Sequence, residues 1–135
     1  KTAMSLSDKF CVERHKQNFL DLVNNKLDII FANEQEILEL INAKSFDEVI
    51  AFGKKLNKSL VITRSDKGSI AITENGVIEC TSQEDLKIVD LTGAGDLFAA
   101  GFLHGYINKM SVKQSLEKGT EMASKVIQQI GARLV

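Results

Sequence analysis

Short apolar runs alternate with stretches of helical periodicity along most of the chain. That alternation limits the possible fold more than any other feature. Ala3–Leu6, Asp28–Ala32 and Ser59–Thr63 are apolar or β-branched runs bounded by polar residues, as expected of strands buried in a sheet. Between them, Cys11–Asn24 gathers Val12, Phe19, Leu20, Leu22 and Val23 on one side of a helix. Glu34–Ile41 does the same with Ile37, Leu38 and Ile41. Ser45-Phe46-Asp47-Glu48 has the form of a capping box, opening a helix to Leu56 with an apolar face of Val49, Ile50, Phe52 and Leu56. Ser69–Thr73 and Val77–Cys80 flank Glu74-Asn75-Gly76, which predicts a hairpin. Ile88-Val89 predicts one more short strand. Ser111-Val112-Lys113-Gln114 is a second capping box, predicting a helix to about Ile130 with Gly131 placed to end it. The order predicts an α/β fold: a mainly parallel sheet flanked by helices, with one hairpin near the middle.

At 135 residues the chain is long enough for one domain with a real core. A net charge of −1 gives no general attraction to nucleic acid or to an anionic membrane, so neither is expected as a partner. No apolar run approaches the ~18 residues that would span a bilayer. Charges run through residues 1–20, so no signal peptide is visible there. Cys11 and Cys80 are too few for a disulfide framework and have no metal-like spacing; reduced thiols and a cytoplasmic setting are the expectation. The chain enters as a strand-like segment, Lys1–Ser7, without an initiating Met, and reads as if it begins inside a larger protein.

The chemistry concentrates in Val89–Phe102, VDLTGAGDLFAAGF. Two glycines within three residues let the backbone turn sharply and expose its N–H groups. A helix beginning there adds its own unpaired N–H groups and the positive end of its dipole, which together suit an anion, most often a phosphate. Asp96 stands where that anion would bind. A carboxylate there would repel the anion unless a metal intervenes or the carboxylate takes a proton from a hydroxyl attacking the phosphate. A plain capping residue is the other reading. The spacing is not that of a Walker loop, and no Lys follows the glycines. Phe98 stands where a dinucleotide fingerprint needs its third glycine, which argues against an NAD-dependent oxidoreductase.

Asp90-Leu91-Thr92-Gly93-Ala94-Gly95-Asp96 resembles the C-terminal D-T-x-G-A-G-D signature of the ribokinase family, the PfkB-type carbohydrate and nucleoside kinases, with Leu91 the departure. The resemblance implies a Rossmann-like, ribokinase-type fold. It implies that the amides of Gly93, Ala94, Gly95 and Asp96 form an anion hole for the transferred phosphoryl group, and that Asp96 is the catalytic base. Asn33-Glu34-Gln35-Glu36 has the form of a helix cap. It is also similar to the family's N-x-x-E motif, which implies that Asn33 and Glu36 help place the nucleotide phosphates and Mg²⁺, largely through water. The two roles are compatible. Thr63-Arg64-Ser65-Asp66-Lys67-Gly68 is a polar turn by composition. It resembles the family's T-x-G-x-x-G nucleotide loop, with Ser65 in place of the middle glycine. Lys67 reads equally as a phosphate contact or as one more solvated lysine.

The resemblance further implies a monovalent cation, often K⁺, beside Asp90 and Thr92. It also implies an adenine pocket lined by small residues of the last helix, around Thr120 and Ala123, although each of these reads singly as ordinary helix packing. Ser5–Cys11 is similar to a crossing in the adenosine-kinase-like branch, and Gly131-Ala132-Arg133 to the family's C-terminal G-A-R. Residues 1–135 are therefore expected to be the nucleotide-binding C-terminal portion of a ribokinase-like kinase domain. The implied activity is transfer of a phosphoryl group from ATP, with Mg²⁺, to a hydroxymethyl group of a sugar or nucleoside. A homodimer or the N-terminal half of such a kinase would be its macromolecular partner. The alternative is a non-catalytic nucleotide-binding module without an acceptor site.

Overall fold

The computed structural model describes residues 1–135. Five strands, β1 (Ala3–Ser5), β2 (Ile29–Asn33), β3 (Ser59–Thr63), β4 (Ser69–Thr73) and β5 (Gly76–Cys80), form one sheet in that order. β1, β2 and β3 are parallel, with Ala3 opposite Ile29, Ile30 opposite Leu60, and Asn33 opposite Thr63. The links from β3 to β4 and from β4 to β5 are too short for a parallel crossover, so those strands turn back on one another. The helices are α1 (Lys9–Arg14), α2 (Lys16–Asn25), α3 (Glu34–Ile41), α4 (Phe46–Leu56), α5 (Ala94–Ile107) and α6 (Val112–Val126), with a 3₁₀ turn at Ser65–Lys67. None is long and apolar enough to cross a membrane.

Two compact units divide the chain. The first is Lys1–Arg64 with Ala71–Val77; the second is Ser65–Ile70 with Ile78–Val135. In the first unit β2 and β3 bury most of their side chains, as their continuous apolar runs require, and Leu6, Val12, Ile30, Ile37, Leu60 and Ile62 are fully enclosed. The α/β order read from the sequence is present. The expected single helix from Cys11 to Asn24 is broken: His15, at φ −122° and ψ 30°, ends α1 and precedes α2. Its N–H still donates to the Cys11 C=O and its own C=O still accepts from the Phe19 N–H, so both backbone groups of His15 remain paired. The capping box at Ser45 is incomplete, because Glu48 reaches past it to accept from the Lys44 N–H and the Ser45 side chain makes no cap bond.

The second unit holds two further differences. Ile88-Val89 is not a strand: both side chains are exposed, and the Val89 N–H donates to the Ile127 C=O rather than to a neighbouring strand. α6 ends at Val126, short of Ile130, and Gly131 lies beyond it in irregular chain. The Ser111 box, by contrast, forms fully. The Ser111 hydroxyl accepts from the Gln114 N–H, and the Gln114 side chain accepts from the Ser111 N–H.

The backbones of α5 and α6 lie against each other along a seam of small residues. A Cβ at Gly101 would sit 2.5 Å from the Lys118 C=O, one at Gly105 would sit 2.6 Å from Ser115 Oγ, and one at Gly119 would sit 2.8 Å from the Phe98 C=O. The contacts at Gly101 and Gly119 are to backbone carbonyls, which cannot turn aside as a side-chain end can. Gly101→Ala is therefore expected to destabilise the protein by about 1–3 kcal/mol, the usual cost of overpacking. Urea melts of parent and variant check this, and an unchanged midpoint would show that the helices can separate without cost.

Candidate active site

In the first unit the site residues come from the ends of β2 and β3. A parallel sheet brings the ends of neighbouring strands to one edge, so Asn33 and Thr63 stand opposite each other. Asn33 caps α3 from extended backbone. Its Oδ1 accepts from the Glu36 N–H at 2.8 Å. Glu36 Oε2 accepts from the Asn33 N–H at 2.8 Å, and Oε1 accepts from Asn33 Nδ2 at 3.1 Å. The pair is a closed ring of three hydrogen bonds, so the capping reading of these residues is correct as far as it goes.

Glu36 is also 5% exposed, an unusual place for a carboxylate. Burial, the largest influence, pushes its carboxyl above the ordinary range; the Asn33 backbone N–H pulls the other way, and Asp8 adds a smaller upward push. A cation carried by a bound ligand would offset that penalty. No cluster of three or more His, Cys, Asp and Glu side chains is present to enclose an ion. Both Glu36 oxygens are engaged by Asn33, which fits a cation held by a ligand's own phosphates and by water rather than by direct carboxylate bonds.

Arg64, to which the sequence alone gives no role, follows Thr63 at this edge. Its guanidinium carbon lies 3.7 Å from the centre of the Phe46 ring, and its Nε is 3.5 Å from Glu34 Oε2. It thus joins the exit of β3 to the first residues of α3 and α4. The stacking partner lies 18 residues away in sequence, so no local pattern could have revealed it.

The second unit holds the loop and the turn. Ser65 adopts φ +53°, the left-handed conformation a glycine would take freely. Holding a serine there costs about 1–2 kcal/mol. Ser65 and Lys67 are exposed, and Gly68 is buried. A Cβ at Gly68 would lie 2.0 Å from the Cys80 C=O. Cys80 Sγ is in turn 3.7 Å from Thr120 Oγ1, whose hydroxyl also donates to the Leu116 C=O at 2.9 Å. The loop and the middle of α6 are therefore both neighbours of one buried cysteine. Ala123, one helical turn beyond Thr120, is half-buried.

Asp90 and Thr92 precede the turn. Asp90 Oδ1 accepts from the Thr92 hydroxyl at 2.7 Å and from its N–H at 2.9 Å; Oδ2 accepts from the Gly131 N–H at 2.9 Å. These bonds, the Thr92 hydroxyl first, hold the Asp90 carboxyl below its ordinary range. Gly93, at φ +80°, is the N-cap residue of α5 and has no side chain to satisfy the helix. The Ala94 N–H closes the turn onto the Leu91 C=O at 3.2 Å. The next amides, of Gly95 and Asp96, are first-turn donors with no acceptor in the protein. Asp96 is exposed in that same turn. A Cβ at Gly95 would meet nothing within 4 Å. Packing of this chain therefore does not ask for glycine there.

The Glu36 carboxyl gives a pH test. Its raised pKa means that the unfolded chain gives up this proton more readily than the folded one. The associated stability is complete below the ordinary value of 4.5 and is lost as pH rises through the raised value. Glu36→Gln keeps an acceptor for the Asn33 N–H and never ionises. The melting temperature of the variant minus that of the parent should therefore be more positive at pH 8 than at pH 4. A difference independent of pH would show that burial of Glu36 carries no ionisation cost.

The model of the pfkB family carbohydrate kinases matches residues 2–135. The chain is similar to the adenosine kinase of Sinorhizobium meliloti, with 40% identity and a TM-score of 0.94 over 98% of this chain and 41% of that one. It is similar to a probable sugar kinase of Rhizobium etli, with 40% identity and a TM-score of 0.93 over 97% of this chain and 40% of that one. It is 32% identical over 117 residues to the 5-dehydro-2-deoxygluconokinase of Lacticaseibacillus casei, covering 84% of this chain and 36% of the relative. The chain thus spans about two fifths of the length of the relatives it matches. A match running from residue 2 to the last residue, on a ribokinase-type α/β fold, shows that the chain belongs to the pfkB family of carbohydrate kinases.

Proposed function

We propose that the chain is the nucleotide-binding, C-terminal part of an ATP-dependent kinase that phosphorylates a hydroxymethyl group of a sugar or nucleoside. The observation that carries this reading is the turn at the start of α5, where the unpaired Gly95 and Asp96 amides, the open space at Gly95 and the exposed Asp96 carboxylate coincide. The amides stabilise negative charge on the equatorial oxygens of the γ-phosphoryl group as it transfers, assisted by the helix dipole. Asp96 accepts the hydroxyl proton of the acceptor. The acceptor oxygen then forms its bond to the γ-phosphorus, the bond from phosphorus to the bridging oxygen breaks, and ADP leaves with that oxygen. Little covalent chemistry is asked of the protein, which acts by position and charge.

In this reading the loop Thr63–Gly68 wraps the nucleotide, Lys67 supplies a mobile positive charge, and Thr120 and Ala123 line the adenine side. Mg²⁺, when bound, neutralises the nucleotide phosphates, with Glu36 and Asn33 holding it through water. Asp90 and Thr92 are the residues assigned to a monovalent cation such as K⁺. The three hydrogen bonds already made to the Asp90 carboxylate leave room for one more interaction among its roughly four lone-pair sites. The resemblance to both a sugar kinase and an adenosine kinase supports the acceptor class as a hydroxymethyl compound.

Asp96→Asn tests the assignment of the base. The substitution keeps the size of the side chain and removes its basicity. In the intact protein kcat should fall by at least about a hundredfold, the lower range of general-base assistance. Affinity for MgATP should stay level or improve, because a negative charge near the γ-phosphate is gone. The melting temperature should hold. Turnover within a few-fold of the parent would end the role of Asp96 as base and leave it a helix-start residue.

A further inference from the structure

Past α6, the Ile127 and Gln129 N–H groups still donate to the Ala123 and Val126 C=O groups of the helix, and the segment is tied elsewhere as well. The Gly131 N–H donates to Asp90 Oδ2 at 2.9 Å. The Ile127 C=O, just past α6, accepts from the Val89 N–H at 2.8 Å and from the Asp90 N–H at 3.2 Å. Gly93 lies directly on Ala132: a Cβ at Gly93 would be 2.7 Å from the Ala132 Cβ and 2.9 Å from its Cα. The Gln129 side chain closes this segment on itself by donating to the Arg133 C=O. Residues 89–93 are thus tied to 127–132 at four points along their length.

These ties matter because the 89–93 stretch has little else to fix it. It lies in no strand or helix. Its apolar side chains do not anchor it, since Leu91 is 65% exposed and the preceding Ile88 is 63% exposed. Asp90 is the hub. One carboxylate oxygen closes the local turn through the Thr92 N–H and hydroxyl, and the other reaches Gly131, 41 residues further on. Gly93 follows immediately, and the unpaired amides of Gly95 and Asp96 come within the next turn. A shift of about 1 Å in such a group can cost about a hundredfold in rate.

We propose that Asp90 is a positioning residue. By clamping residues 90–93 onto the Gly131-Ala132 segment, it sets the direction in which the Gly95 and Asp96 amides face. The consequence for catalysis rests on the kinase reading of that turn; the clamp itself does not. A role for Asp90 as cation ligand only is the competing account, and potassium separates the two.

The test compares the intact parent protein with Asp90→Asn and Thr92→Val. Asparagine cannot present an acceptor to both Thr92 and Gly131. Valine removes the hydroxyl bond alone and gives a milder variant should Asp90→Asn fold poorly. Hydrogen–deuterium exchange in peptides covering 89–97 should be about tenfold faster in Asp90→Asn and less accelerated in Thr92→Val, with peptides from the middle of α6 unchanged. In the phosphoryl-transfer assay, kcat should fall about tenfold to a hundredfold while the KM for MgATP stays within a few-fold. Neither change should be reversed by saturating K⁺. Unchanged exchange at 89–97, or recovery of exchange and kcat on adding K⁺, overturns the proposal. Faster exchange at 89–97 with unaltered kcat likewise overturns the positioning role, whereas a folded parent protein that transfers no phosphoryl group fails the kinase reading alone and leaves the exchange measurement to decide the clamp.

Discussion

Contact between the backbones of α5 and α6 is the constraint on which the second unit depends. Gly101, Gly105 and Gly119 allow an approach that any larger side chain would block, with backbone carbonyls on the far side of two of those contacts. Close approach fixes the two helices as a pair, and so fixes where α5 begins relative to where α6 ends. The turn with free amides lies at the start of α5, and the segment that backs it follows α6. The apolar character of α5 serves the same end, since Phe98 and Phe102 are buried alongside these glycines.

Two carboxylates show how differently a protein can hold the same group. Glu36 is buried and its carboxyl is raised, because loss of water outweighs the hydrogen bond from the Asn33 N–H. Asp90 is less enclosed and its carboxyl is lowered, because the Thr92 hydroxyl and two backbone N–H groups all favour its charge. The first would gain from a cation placed beside it. The second is already satisfied by the chain and can serve as a fixed point.

Much of this was legible in the sequence because it is local. Asn33 and Glu36 are three residues apart and form the box their spacing suggests, as do Ser111 and Gln114. The strands Ser59–Thr63 and Ser69–Thr73 lie where their β-branched runs place them. The turn at Gly93 was visible because glycines and an acidic residue at a helix start are a compact signal. Non-local features were not legible. Ile88-Val89 has strand composition, but the Val89 N–H donates to the C=O of Ile127, nearly forty residues later. Gly131 has the form of a helix terminator, but α6 ends before it and its N–H serves Asp90. The break at His15 falls in the polar stretch Glu13–Asn18, where no apolar residue marks the path of the helix face. The role of Cys80 between Gly68 and Thr120 depends on three distant segments meeting.

The central claim is that the first-turn amides of α5 receive the transferred phosphoryl group. A crystal structure of the intact protein with Mg²⁺ and a non-hydrolysable ATP analogue tests it most directly. The account predicts terminal-phosphate oxygens within about 2.7–3.2 Å of the Gly95 and Asp96 nitrogens. It also predicts that the Asp96 carboxylate faces the acceptor side of that phosphate. A well-ordered nucleotide whose terminal phosphate lies away from these amides, with the turn still open to solvent, would contradict it.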